Sequence, residues 1–87
     1  MIFIENGIIY DETKAEFLLE YRFHGRELSF PTTEIWRVYK TPKGRFFKVK
    51  WNGTSGKALT LNDLSFILST YPGGLEVAKT LAEFEEA

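Results

Sequence analysis

The chain contains no cysteine. That excludes disulfide staples, thiolate nucleophiles and cysteine-ligated zinc, and it fits a reducing compartment. Histidine is reduced to one residue, His24, so a histidine-based metal site would lack its other ligands, and no metal or cofactor is expected. No apolar run approaches the roughly 18 residues of a membrane-crossing helix. The opening Met1-Ile2-Phe3-Ile4-Glu5 has neither the basic flank nor the apolar stretch of a signal peptide. These absences lead to the expectation of a single domain over residues 1–87, cytoplasmic, with no membrane partner.

A second gap lies inside the chain. Between Ile35 and Asn62 there is no acidic residue but there are seven bases, while residues 1–34 and 63–87 each carry a net charge of −4. A chain with a net charge of only −1 therefore has a strongly cationic middle third. Charge of one sign concentrated in this way points to an anionic partner or to compensation by acids elsewhere in the fold.

Aromatic residues are abundant: eight Phe, four Tyr and two Trp. Each buried aromatic removes about 150–250 Å² from water, so a few can anchor the core of a small domain, which buries only about two thirds of its unfolded surface. Disorder goes with the opposite composition.

Along the chain, Ile2-Phe3-Ile4 and Ile8-Ile9-Tyr10 flank Asn6-Gly7, the pattern of a hairpin with a type I′ turn. Asp11 is suited to cap a helix, and Ala15, Leu18, Leu19 and Arg22 at helical spacing predict a helix over about 12–22. Residues 23–33 read as an irregular connection with a short edge strand, because Pro31 disfavours helix at Phe30. Residues 34–40 and 45–51, joined by Thr41-Pro42-Lys43-Gly44, predict a second hairpin. Its turn is either type I with Gly44 as a bulge or a two-residue loop. Phe47, Val49 and Trp51 share one face and are expected in the core against Leu18, Leu64 and Leu81; Phe46, Lys48 and Lys50 share the other. Residues 52–56 read as a loop. Thr60 with Asp63 approximates a capping box for a helix over about 61–71. Pro72-Gly73-Gly74 breaks it, and a last amphipathic helix runs from Leu75 to Glu86. The expected fold is α+β: an antiparallel sheet built from an N-terminal and a central hairpin, packed by about three helices in the order ββα-ββ-αα.

The cations carry the sharpest functional signal. Arg37, Tyr39, Lys43, Arg45, Lys48, Lys50 and Lys57 fall in the central hairpin and its following loop, with Lys40 and Phe46 among them, and form the candidate partner-binding site. Cations interleaved with aromatics suit phosphate backbones and bases; an anionic protein surface is served by the same electrostatics. The bland alternative is a solvated strand face balanced by the acidic helices. Gly53-Thr54-Ser55-Gly56-Lys57 lacks the spacing of a phosphate loop, and Ala58 stands where Ser or Thr would hold magnesium. Ser29, His24 and Asp11 contain the residue types of a hydrolytic triad without a nucleophile elbow. Asp11-Glu12, Glu16/Glu20 and Glu85-Glu86 read as caps and solvated faces. No catalytic residue is assigned.

Three segments carry a resemblance. Asn6-Gly7-Ile8-Ile9-Tyr10-Asp11-Glu12-Thr13-Lys14-Ala15 resembles the "YDTETA" opening of small proteins on phages, plasmids and conjugative elements of Gram-positive bacteria. Val38 to Phe47 resembles their "LYRTKKGRFF" hairpin, and Leu59-Thr60-Leu61 their "PLT" segment. Where that family carries a "GEGG" loop, this chain has Trp51-Asn52-Gly53-Thr54-Ser55-Gly56. The resemblance covers about half of the chain. It implies a mobile-element setting in which small single-domain proteins inhibit host defence, anti-CRISPR proteins among them. The expected function is a non-enzymatic protein-binding module of a mobile genetic element, of the kind that inhibits a bacterial defence nuclease, with a host or element protein of anionic surface as partner. The alternative is a nucleic-acid-binding accessory protein that uses the basic hairpin 35–57.

Overall fold

The computed structural model describes residues 1–27 and 29–87, the side chains of residues 26 and 27 excepted. The first hairpin forms as its sequence dictates. Strands β1 (Ile2–Glu5) and β2 (Ile8–Asp11) pair antiparallel, Phe3 opposite Tyr10. Asn6 and Gly7 both take positive φ, 52° and 76°, as a type I′ turn requires. Phe3 and Tyr10 face inward; Ile2, Ile4 and Ile9 stand exposed on the outer face.

The helix expected over 12–22 is absent. A single 3₁₀ turn (Glu12–Lys14), capped by Asp11 through the Thr13 amide, leads into the twelve-residue strand β3 (Glu16–Glu27). Opposite β4 (Phe30–Lys40), Phe17 pairs with Tyr39 and Leu19 with Val38, leaving Leu18 as the extra residue of a β-bulge. Leu18 and Leu19 thus both contribute to the same apolar cluster. The bulge makes a period-2 strand imitate helical spacing. The irregular connection expected at 23–33 is instead mostly paired strand, from Phe23 opposite Glu34 to Glu27 opposite Phe30; Leu28 lies outside the described residues. Pro31 is tolerated there because β5 pairs with β4 only from Trp36 onward, so that stretch of β4 has a free edge.

The second hairpin keeps its expected turn. Gly44 takes φ 82° and donates to the Thr41 carbonyl at 2.9 Å, and the Thr41 amide donates to the Arg45 carbonyl at 2.7 Å. This is the type I turn with a Gly bulge. Strand β5 (Phe46–Lys50) follows, and then an element absent from the expectation, β6 (Gly56–Leu59), completes a sheet of order β3-β4-β5-β6. Helix α1 (Leu61–Thr70) has both halves of the Thr60/Asp63 capping box. Helix α2 (Gly74–Thr80) stops well before Glu86. Glu83, Glu85 and Glu86 would sit at its negative end, and the Thr80 hydroxyl donates to the Val77 carbonyl instead.

The result is a small α+β structure with two antiparallel sheets and two helices, in the order ββ-ββββ-αα, rather than one sheet and three helices. The four-stranded sheet is covered on both faces. On one, Leu19, Tyr21, Trp36, Val38 and Phe46 pack against Leu64, Ile67, Leu68 and Leu81 from the helical layer and its extension. On the other, Tyr39, Phe47 and Val49 pack under Tyr10 and Phe3 of the N-terminal hairpin. The expected core is corrected accordingly: Phe47 and Val49 are buried, but against the hairpin and not against Leu64 and Leu81. Trp51 is 60% exposed, because it lies past the end of β5 where the hairpin no longer covers the sheet. Phe46, on the face it shares with Lys48 and counted among the candidate site residues, is buried beneath the helices. The hairpin is tied down at the edge strand, where Glu5 Oε1 accepts from the Ala58 amide at 3.1 Å. There the Phe3 ring packs so closely on Gly56 that a Cβ would collide with it.

Candidate functional site: a lysine and aromatic groove

The seven residues expected to form one cationic surface are divided by the pleat. Arg37 and Tyr39 point to the hairpin side. Arg37 pairs with Glu20 across the strands at 3.0 Å, and Tyr39 is buried against Phe47. Lys43 and Arg45 sit at the β4–β5 turn, lining a shallow depression with Lys14 and the Gly7 turn. Lys48, Lys50 and Lys57 lie on the helix side. Much of the cationic excess is met within the fold: Lys50 pairs with Glu34 at 3.4 Å and Lys40 with Glu83 at 3.3 Å. Among the described residues, Lys43, Arg45, Lys48 and Lys57 enter no ion pair.

Two of those four, Lys48 and Lys57, stand directly opposite each other on β5 and β6. Like charges in that position oppose sheet formation. They open into a groove of about 430 Å³ between the sheet and α1, whose sides are Tyr21, Phe23 and Trp36 from the strands and Phe66, Ile67 and Tyr71 from α1 and its end. Alternation along β3 and β4 places Tyr21, Phe23 and Trp36 on this face; α1 turns Phe66 outward, 65% exposed, beside buried Ile67. Tyr21 and Tyr71 stack with centroids 4.3 Å apart.

Lys48 is the floor of the groove. Its Nζ lies 4.2 Å from the centre of the Trp36 ring and donates to the Tyr21 hydroxyl at 3.1 Å. Burial, and then the facing Lys57, hold its pKa below the ordinary lysine value, against the pull of Glu34 and Asp63. Those carboxylates are already engaged. Glu34 accepts from the Trp36 indole N–H at 3.1 Å and is ion-paired with Lys50. Asp63 accepts from the Thr60 amide at 3.0 Å, which holds its own pKa low. The lysine pair is what remains for a ligand.

Burial pushes the Tyr21 phenol well above the usual tyrosine range, with Tyr71 and Glu34 adding to the effect; burial and the Glu12 carboxylate raise Tyr39. The unfolded chain loses these phenolic protons near pH 10 and the folded chain only later. Stability from these groups is therefore complete below that pH and falls as pH rises above it. Lys48 works the other way, since stability rises with pH between its lowered folded pKa and the unfolded value of 10.5. Ultraviolet titration of tyrosinate is expected to show late-ionising phenols that appear together with alkaline unfolding. Tyr21→Phe should reduce that late amplitude; a loss confined to the early amplitude near pH 10 would place Tyr21 in solvent.

Two of the three hydrolytic candidates have other partners. His24 lies exposed on β3, not in a loop, and its Nδ1 is 3.2 Å from the Thr33 hydroxyl; Asp11 is held by Thr13. The stretch weighed against a phosphate loop is a turn, in which the Thr54 amide and hydroxyl both donate to Asn52 Oδ1, followed by the start of β6 at Gly56 and Lys57. Sequence reading missed Tyr21, Phe23, Trp36, Phe66 and Tyr71 as site residues. The alternation of Tyr21 with Phe23 was the available signal, and the expected helix over 12–22 hid it. No protein-family model matches the chain, and no significant match is found among the curated proteins or the solved structures.

Proposed function

We propose that the chain is a non-enzymatic protein-binding module whose working surface is the groove between α1 and the sheet. The observation that supports this is the composition of the groove: exposed Phe66 and Phe23 at the rim, an unmatched lysine pair at the floor, and carboxylates at its margin. Protein recognition surfaces combine aromatic anchors with a few charges in this way. A nucleic-acid strand would meet Glu34 and Asp63 along the same groove, and Arg37, Lys40 and Lys50 are committed to internal acids, which leaves few cations to neutralise phosphates. The mobile-element setting, and within it inhibition of a defence nuclease, rest on the resemblance of the Tyr10-Asp11 and Val38–Phe47 segments.

Affinity capture from bacterial lysate tests the reading. A protein partner is expected to remain after nuclease treatment and to be lost with Phe66→Ala. Phe66 is largely exposed, so the substitution should change stability by only about 0.5 kcal/mol or less. Loss of all capture on nuclease treatment, with steeply salt-dependent binding of single-stranded DNA, would replace this reading with the nucleic-acid one.

A further inference from the structure

We infer that the groove takes a short partner segment in which an aspartate or glutamate lies beside an aromatic or branched aliphatic residue. The carboxylate bridges Lys48 and Lys57, and the apolar side chain lies against Phe66 and Phe23. This rests on the protein-binding reading and names the chemistry of the partner.

Charge complementarity carries the argument. Lys48 and Lys57 face each other on adjacent strands with no carboxylate of the described residues in ion-pair contact. One of the two is recessed among Tyr21 and Trp36. An anion placed between them removes a like-charge repulsion and gains charge-assisted hydrogen bonds in a partly desolvated site. The anion is a carboxylate, not a phosphate. Glu34 and Asp63 border the same groove, and a phosphate carrying about −1.5 to −2 would be repelled by both more strongly than a monoanion. The apolar neighbour follows from the rim, where Phe66 and Phe23 remain 65% and 46% exposed. A volume of about 430 Å³ is at the scale of a few side chains, within the usual range for ligand sites.

The test uses the whole chain and blocked short peptides containing a Glu-Phe pair, its Gln-Phe counterpart and a phosphoserine-Phe counterpart. Binding is followed by the Trp36 indole N–H resonance and by calorimetry. The Glu-Phe peptide is expected to shift that resonance and to bind about tenfold or more tighter than Gln-Phe. Lys57→Gln, at an exposed position, should bring the Glu-Phe peptide down to the Gln-Phe level. Lys48→Met, with folding verified by its unfolding curve, should do the same. Equal affinity for Glu-Phe and Gln-Phe, tighter binding of the phosphoserine peptide, or no binding by any of them overturns the inference. If peptides fail while Phe66→Ala still strips a nuclease-resistant partner, only this inference falls. If Phe66→Ala leaves that partner in place, protein binding through this groove falls as well.

Discussion

Phe47→Ala is expected to cost about 3–5 kcal/mol, whereas Trp51→Ala should cost about 1 kcal/mol or less. Phe47 is fully buried and its ring joins the two sheets. It stacks on Tyr39 at 5.3 Å, lies against Tyr10 at 5.3 Å and meets Phe3 edge-on at 5.8 Å. Aromatic pairs of this geometry contribute about 0.5–1.5 kcal/mol beyond the area they bury. A two-stranded hairpin is at best marginally stable by itself, so β1 and β2 depend on this contact. Domains have about 5–15 kcal/mol in total, and Phe47→Ala removes a large part of it. Urea unfolding should show the loss in the midpoint, and amide exchange should show β1 and β2 opening first. Trp51 differs by position alone: it shares the pleat of Phe47 and Val49 but lies beyond the cover of the hairpin. A larger loss from Trp51→Ala than from Phe47→Ala would mean that the N-terminal hairpin does not pack on this sheet.

Turn chemistry and capping were legible because each acts over a few residues. Asn6-Gly7, Thr41 to Gly44, and Thr60 with Asp63 all adopt the geometry that their side chains and backbone freedom favour. The errors arose where a distant contact decides. Leu18 and Leu19 share a cluster only because β4 skips Leu18, and nothing near Leu18 announces the skip. Residues 56–59 hold one glycine and one lysine among four, weak strand formers, and become β6 because β5 offers an edge and Phe3 seats on Gly56.

The candidate site was half legible for the same reason. That the middle third has an excess of cations is plain in the sequence. Which of them are cancelled is not, because Glu20, Glu34 and Glu83 reach Arg37, Lys50 and Lys40 from β3, from β4 and from beyond α2. Strand alternation correctly set Lys48 and Lys50 apart from Phe47 and Val49. It could not say that the face of Lys48 is the one beneath the helices, and that placement turns a solvated lysine into the floor of an aromatic groove.

Gly74→Ala is expected to destabilise the protein by about 1–3 kcal/mol or more, against the direction of helix propensity. Gly74 opens α2, and at an exposed helical position alanine is better than glycine by about 1 kcal/mol. Here the residue is buried, and a Cβ built on it would overlap the backbone carbonyl of Leu68 near the end of α1. A side chain in the way can turn aside; a backbone carbonyl is held by the planar peptide units of the helix that carries it. The added methyl therefore has to displace α2 as a body. That helix, with the turn that follows, supplies Val77, Ala78, Leu81 and Phe84 to the cluster above Leu19 and Leu68, so displacement thins the layer that closes this face. The αL conformation of Gly73 (φ 83°), the residue before it, leaves little freedom to absorb the shift. Chemical denaturation of Gly74→Ala beside a glycine-to-alanine change at neighbouring Gly73 separates the causes. Gly73→Ala meets only the left-handed backbone penalty of about 1–2 kcal/mol, its nearest neighbour being a Leu19 methyl at 3.6 Å. Gly74→Ala should be the more costly of the two. A neutral or stabilised Gly74→Ala variant would mean that α2 does not pack on the Leu68 backbone.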